Sequence, residues 1–233
     1  MAIFALVHGS MHGGWCWRDL VPELTKRGHA AIAPDLPCED AQAGLREYAD
    51  AVEALIEANG PLQDLVLVGH SLGSRTIPAV ASRRPGCRMV FLCSAPTGMG
   101  LVDTDAFSEM VTPEYAKASL RTRPDGTQRI ETSDAKHFFF HDCDAATASW
   151  AAKKLRWQGS KPLGEPAFFE DWPDGPMNMI LAPEDRVARF EWLADEASRW
   201  PLARPPILLP GGHSPMLARP AELAEALLAC TDS

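Results

Sequence analysis

The feature that most constrains this chain is a rhythm of short, β-rich apolar runs separated by stretches of helical periodicity. The runs fall at residues 3–7, 30–33, 65–68, 89–93, 177–181 and 207–209, each bounded by Gly, Pro or Asp. Runs this short and continuously apolar suit strands buried on both faces of a sheet. Between them lie stretches 17–26, 45–58, 74–82, 188–200 and 221–229. In the second of these, Leu45, Tyr48, Ala49, Val52, Leu55 and Ile56 recur at helical spacing. Strand–helix alternation of this kind predicts an α/β protein with a mostly parallel, doubly wound sheet of about six strands.

One segment breaks the rhythm. From residue 97 to residue 176 no core strand is expected, while a helix is expected over 145–155 with Asp144 as its N-cap. The segment is aromatic, with His137-Phe138-Phe139-Phe140, Trp150, Trp157, Phe168, Phe169 and Trp172. It reads as an insertion, a lid over the C-terminal edge of the sheet, within a single domain whose core is 1–96 and 177–233.

Chemistry concentrates in Leu65-Val66-Leu67-Val68-Gly69-His70-Ser71-Leu72-Gly73-Ser74. A bare G-x-S-x-G is weak, but here a buried strand runs straight into it and a helix-compatible stretch follows, as a nucleophile elbow requires. The flanking glycines remove side chains that would clash at the turn, and Ser71 faces a helix N-terminus that favours developing negative charge. Pro78 is expected to interrupt that helix early.

A serine hydroxyl needs an adjacent base. Of seven histidines, His213, in Pro210-Gly211-Gly212-His213-Ser214-Pro215, follows the last expected strand and can reach an elbow serine. His70, beside Ser71 in sequence, is expected to point elsewhere on the elbow; His29, His137 and His141 read as solvated or packing residues. A carboxylate to orient the imidazole is expected after the penultimate strand, where Glu184 and Asp185 stand together. Asp185 is the first choice and Glu184 the reserve. Oxyanion donors are expected from the backbone N–H groups of Leu72 and Ser10, with Gly9 permitting close approach. Ser10 itself lacks an elbow and is not the nucleophile. Gly9, His12, His70 and Phe139 are the expected substrate-side residues, His12 standing between loop stabiliser and pocket wall. Trp15 and Trp17 read as packing.

With 31 acidic and 22 basic side chains the net charge is −9, which argues against a nucleic-acid binder. That charge opposes the approach of strongly anionic substrates unless the field of a pocket overrides it. Six scattered cysteines without a C-x-x-C pair read as reduced thiols, with no zinc spacing. Cys93 is assigned to the core and Cys143 to the neighbourhood of a pocket. The opening strand carries no basic flank or cleavage site and no apolar run reaches membrane-spanning length, so a cytoplasmic protein is expected, without membrane contact. No metal or cofactor is expected, and a homodimer is left open.

The chain resembles the α/β-hydrolases related to plant methylesterases, salicylate-binding esterases and hydroxynitrile lyases. The resemblance rests on Val7-His8-Gly9-Ser10-Met11-His12-Gly13-Gly14-Trp15, the elbow, Glu184-Asp185, the stretch from His213 to Pro220, and Phe138-Phe139-Phe140-His141-Asp142-Cys143 in the lid. It implies the α/β-hydrolase fold, a triad of Ser71, Asp185 and His213, and the Ser10 and Leu72 amides as oxyanion hole. Hydroxynitrile lyases of that group carry a threonine where this chain has Gly9 and a lysine where it has Ser214, so lyase chemistry is not expected. The expectation is a cofactor-free hydrolase acting on a small or medium apolar carboxylic ester. The alternatives are a ligand-sensing receptor with slow turnover, and a carbon–carbon bond hydrolase or oxygenase on the same scaffold.

Overall fold

The computed structural model describes residues 1–60, 64–97, 100 and 104–231, with the backbone alone for 104–106. Positions 98, 99 and 101–103 of the expected insertion lie outside the described residues. Six strands form the main sheet: β1 (Ile3–Val7), β2 (Ala30–Ile32), β3 (Leu65–His70), β4 (Arg88–Leu92), β7 (Met177–Leu181) and β8 (Ile207–Leu208). A separate antiparallel hairpin, β5 (Leu120–Thr122) and β6 (Gln128–Ile130), lies between β4 and β7 in the chain.

The main sheet has the order β2-β1-β3-β4-β7-β8, and every neighbouring pair is parallel. Because β1 sits between β2 and β3, the chain winds one way and then the other. The C-terminal ends of β1 and β3 therefore flank the crevice where open α/β sheets bind ligands. The register sets Val7 beside Gly69, which brings the loop after β1 against the elbow after β3.

Strand residues alternate between two buried layers, as the pleat dictates. Phe4, Leu6, Val66, Val68, Val90, Leu92 and Ile180 pack with α1 (Leu20–Lys26) and α10 (Pro220–Ala229). Ala5, Val7, Leu65, Leu67, Met89, Phe91, Met179 and Leu181 pack with α2 (Leu45–Ala58), α3 (Gly73–Ala81) and α8 (Phe190–Arg199). The expected helix over 17–26 divides into a 3₁₀ turn at Gly14–Trp17, anchored by the wholly buried Trp17, and α1. Helix α3 runs on through Pro78 instead of stopping there. All nine of its residues are buried, so packing outweighs the one hydrogen bond the proline cannot donate.

Between β4 and β7 the chain forms α4 (Thr104–Met110), the hairpin, α5 (Thr132–Phe138), α6 (Ala145–Lys154) and α7 (Lys161–Gly164), and none of it joins the main sheet. Asp144 caps α6 by accepting the Ala146 and Thr147 N–H groups at 2.9 and 3.0 Å. Phe138, Phe139, Phe140, Ala151 and Leu155 are buried in the same layer as Phe4 and Leu6. The insertion thus shares the core it covers.

Candidate active site

Strand β3 ends at His70 and α3 begins at Gly73, so the chain reverses over Ser71 and Leu72. Ser71 adopts φ +50, a left-handed conformation in which non-glycine residues are uncommon. The glycines around it are obligatory. A Cβ on Gly69 would stand 2.7 Å from the Gly73 carbonyl oxygen, and one on Gly73 would stand 2.5 Å from the Val7 oxygen. The strain is held by backbone bonds from Ser71 N–H to the Leu92 oxygen and from Ser74 N–H to the Ser71 oxygen, both 3.0 Å.

The loop after β8 carries His213, whose ring lies 2.7 Å, Nδ1 to Oδ2, from Asp185. Both side chains are almost wholly buried. A carboxylate only accepts, so Nδ1 carries the proton and Nε2 is left as a base. The other oxygen of Asp185 accepts the Val187 and Ala188 N–H groups at 2.7 and 3.1 Å. Glu184, by contrast, is exposed. Of the two adjacent acids, Asp185 is the one brought to the histidine. Ser71 and His213 line one cavity, together with Ser10 and Leu72.

Two further histidines hold the loop after β1, and a third holds the His213 loop. His8 Nδ1 donates to the Gly9 carbonyl at 2.9 Å, while its Nε2 accepts the Leu36 N–H at 3.0 Å. The Gly9 carbonyl and the Ser10 N–H belong to one trans peptide, so pinning the first toward His8 aims the second the opposite way. His12 Nδ1 donates to the Ser10 carbonyl at 2.7 Å. His70 Nε2 donates to the His213 carbonyl at 2.8 Å, and the two rings lie 4.8 Å apart. Burial holds these rings neutral: the pKa of His8 falls to about 4, that of His12 to about 3, and that of His70 well below the ordinary range, with His213 adding to the last.

This has a consequence for stability. The unfolded chain binds protons on His8 and His12 below pH 6.5, whereas the folded chain refuses them until pH nears 4 or 3. Stability is therefore complete above that upper value and falls as pH drops through the window, by about 2 kcal/mol per histidine between roughly pH 7 and pH 5. The urea midpoint measured at the two pH values should fall accordingly. A midpoint unchanged down to about pH 5 would contradict the neutral histidine cluster.

Gly9, His12, His70 and Phe139, expected on the substrate side, are not among the residues that line this cavity. A Cβ on Gly9 would lie 2.9 Å from both the His70 ring and Ser71 Cβ, so this position serves close packing of the loop on the elbow. His12 stacks on Trp15 at 5.4 Å, and Phe139 packs on the His213 ring at 5.8 Å. The lining instead includes Arg75, Cys93, Val111, Tyr115 and Val187 around a volume of about 90 Å³. A neighbouring chamber of about 260 Å³ shares Ser10, Phe107, Tyr115 and Leu163 with it. A larger hollow near Ala2, His29 and Asp64 opens at the other end of the sheet, away from these residues.

Cys93 is buried in the core, as expected, and lines the cavity as well. Strand β4 ends at Leu92, and Cys93 turns to φ +49 at the cavity wall; Cys143 does not line this cavity. Among the described residues, Cys93, Asp185 and His213 form one group whose ligand atoms lie within 4.8 Å, close enough to hold a metal ion. Asp185 already accepts from His213 and two amides, and burial pushes the Cys93 thiol well above its ordinary pKa, which favours the hydrogen-bonded state of the group. The segment between β4 and β7 is tied to the loops of His213 and Asp185: the Asp142 carboxylate accepts the Gly212 N–H at 2.8 Å, and His141 Nε2 donates to the Glu184 carbonyl at 3.1 Å.

A family model described as "Alpha/beta hydrolase family" matches residues 4–226. A carbendazim hydrolyzing esterase from a Nocardioides species is 36% identical over 131 residues, which are 53% of this chain and 48% of that enzyme. Methylesterase 18 of Arabidopsis thaliana is 26% identical over 99% of this chain and 97% of its own length. The first curated relatives are thus matched over about half their length. A pyrethroid hydrolase from Sphingobium faniae superposes with a TM-score of 0.78 at 23% identity, covering 100% of this chain and 98% of that one. At that identity it attests the fold.

Proposed function

The chain belongs to the alpha/beta hydrolase family, and from that premise we propose that it is a serine hydrolase of small carboxylic esters. Ser71 is the nucleophile, His213 the general base and then acid, and Asp185 the residue that orients the imidazole. The observation that carries this reading is the 2.7 Å His213–Asp185 pair, whose histidine shares one cavity with a serine on a strained elbow.

His213 takes the Ser71 proton as the hydroxyl attacks the ester carbonyl. The Ser10 and Leu72 N–H groups receive the oxyanion, where fixed dipoles in a water-poor site are most effective. His213 then gives its proton to the departing alkoxide. Water, activated by the same imidazole, releases the acid and restores Ser71. The small volume at Ser71 favours a short acyl group, and the neighbouring chamber gives the alcohol a place to lie. The names of the relatives, an esterase and a methylesterase, support the same chemistry. Residues 97–176 act in this reading as the cover of the site.

The test is direct. The purified protein should hydrolyse p-nitrophenyl esters, with short acyl chains favoured over long ones, and should be labelled one-to-one by a fluorophosphonate. Absence of both hydrolysis and labelling would overturn the proposal.

A further inference from the structure

The cavity that holds Ser71 is mostly apolar, with one exception of full charge. Arg75 stands one helical turn after the elbow, only 6% exposed, and lines the same cavity as Ser71 and His213. Its Nε donates to the Pro162 carbonyl at 3.0 Å, and its Nη2 donates to the Glu165 carbonyl at 2.7 Å. Its Nη1 donates to the Thr97 hydroxyl at 3.3 Å. These partners are neutral. Among the described residues no carboxylate lies within ion-pair distance of this guanidinium. Arg27, Arg83, Arg84, Arg121 and Arg199, all more exposed, each have one.

The nearby acid is turned elsewhere. The carboxylate of Glu165 accepts the Leu45 N–H at the start of α2, so its charge reaches Arg75 only at longer range. A buried cation without a counter-charge is expensive, and burial accordingly lowers the Arg75 pKa. A guanidinium also offers five donors, of which three are met. Two hydroxyl residues, Ser94 and Thr97, line the cavity with it. This is a donor set without an acceptor of matching charge, on the wall of the cavity that holds Ser71.

We propose that Arg75, assisted by Ser94 and Thr97, binds a carboxylate on the acyl side of the substrate, so that the preferred ester is a monoester of a short dicarboxylic acid. This rests on the hydrolase reading above and names the substrate class of that site. A planar guanidinium suits a carboxylate, which can accept two parallel hydrogen bonds from it. The cation also answers the net charge of −9, which otherwise repels such a substrate.

The experiment compares the p-nitrophenyl monoester of glutaric acid with p-nitrophenyl pentanoate, which has the same chain length without the charge. In the wild-type protein kcat/KM should favour the charged ester by about 10-fold or more, and in Arg75→Met that ratio should collapse by about 30-fold. Free glutarate should inhibit the wild-type protein competitively with glutaramide far weaker, a readout independent of whether the variant folds. Hydrolysis of pentanoate with no preference for the charged ester, or equal inhibition by glutarate and glutaramide, would overturn the assignment of Arg75 and leave the hydrolase standing. A ratio unchanged in Arg75→Met would do the same. No turnover of either ester would instead remove the hydrolase reading itself.

Discussion

Ser71→Ala is expected to lower kcat on a p-nitrophenyl ester by about 10⁴-fold or more, with the fold intact, and to abolish fluorophosphonate labelling. The reason is local. Alanine keeps the Cβ and so keeps the backbone path, while removing the only atom able to form the acyl-enzyme. The residual rate should be that of an oxyanion site acting on water alone. Because Ser71 sits at φ +50, loss of its hydroxyl changes the chemistry more than the stability, and the thermal midpoint should move by a few degrees at most. A variant that retains wild-type turnover would show that the hydrolysis arises elsewhere.

The second large effect separates two neighbouring acids. Asp185→Asn should lower kcat by about 10³- to 10⁴-fold, with KM little changed, whereas Glu184→Gln should stay within about twofold of the wild type. The asparagine carbonyl can still accept the Val187 and Ala188 N–H groups, so the loop keeps its shape. Its amide then presents N–H groups to His213 Nδ1, where the carboxylate now accepts at 2.7 Å. The imidazole is driven to the other tautomer, with Nε2 protonated and no lone pair for the Ser71 proton. The rates of the two variants on one ester decide the matter, and equal damage from both would displace Asp185 from its role.

The elbow turn and the placement of His213 were readable because each depends on local pattern. A buried strand running into Gly69-His70-Ser71-Leu72-Gly73, and a histidine following the last strand, carry their structural context with them. The carboxylate partner of His213 was readable only to within two residues. Glu184 and Asp185 follow the same strand, and what separates them is direction: one side chain turns out to solvent, the other in to His213 and two amides. The same limit applies to His12, open between loop stabiliser and pocket wall, and to His70, expected to point elsewhere on the elbow while also standing among the substrate-side residues. Their rings point into the protein, because turn dihedrals set direction and composition does not reveal them. Cys93 looked like the last residue of a strand, and its left-handed turn has no signature in a non-glycine residue. Arg75 did leave a signal. It is the one Asp, Glu, Lys or Arg between Leu65 and Ser82, a charge stranded in an apolar stretch beside the nucleophile.

The ties from His141 and Asp142 to the loops bearing Asp185 and His213 bear on how such a molecule can change over generations. A segment hydrogen-bonded to the loops of Asp185 and His213 is no exchangeable cartridge. A replacement lacking Asp142 and His141 would release the Gly212 N–H and the Glu184 carbonyl, one residue from His213 and from Asp185 respectively. Change in this segment and change in the two loops it holds are therefore constrained together.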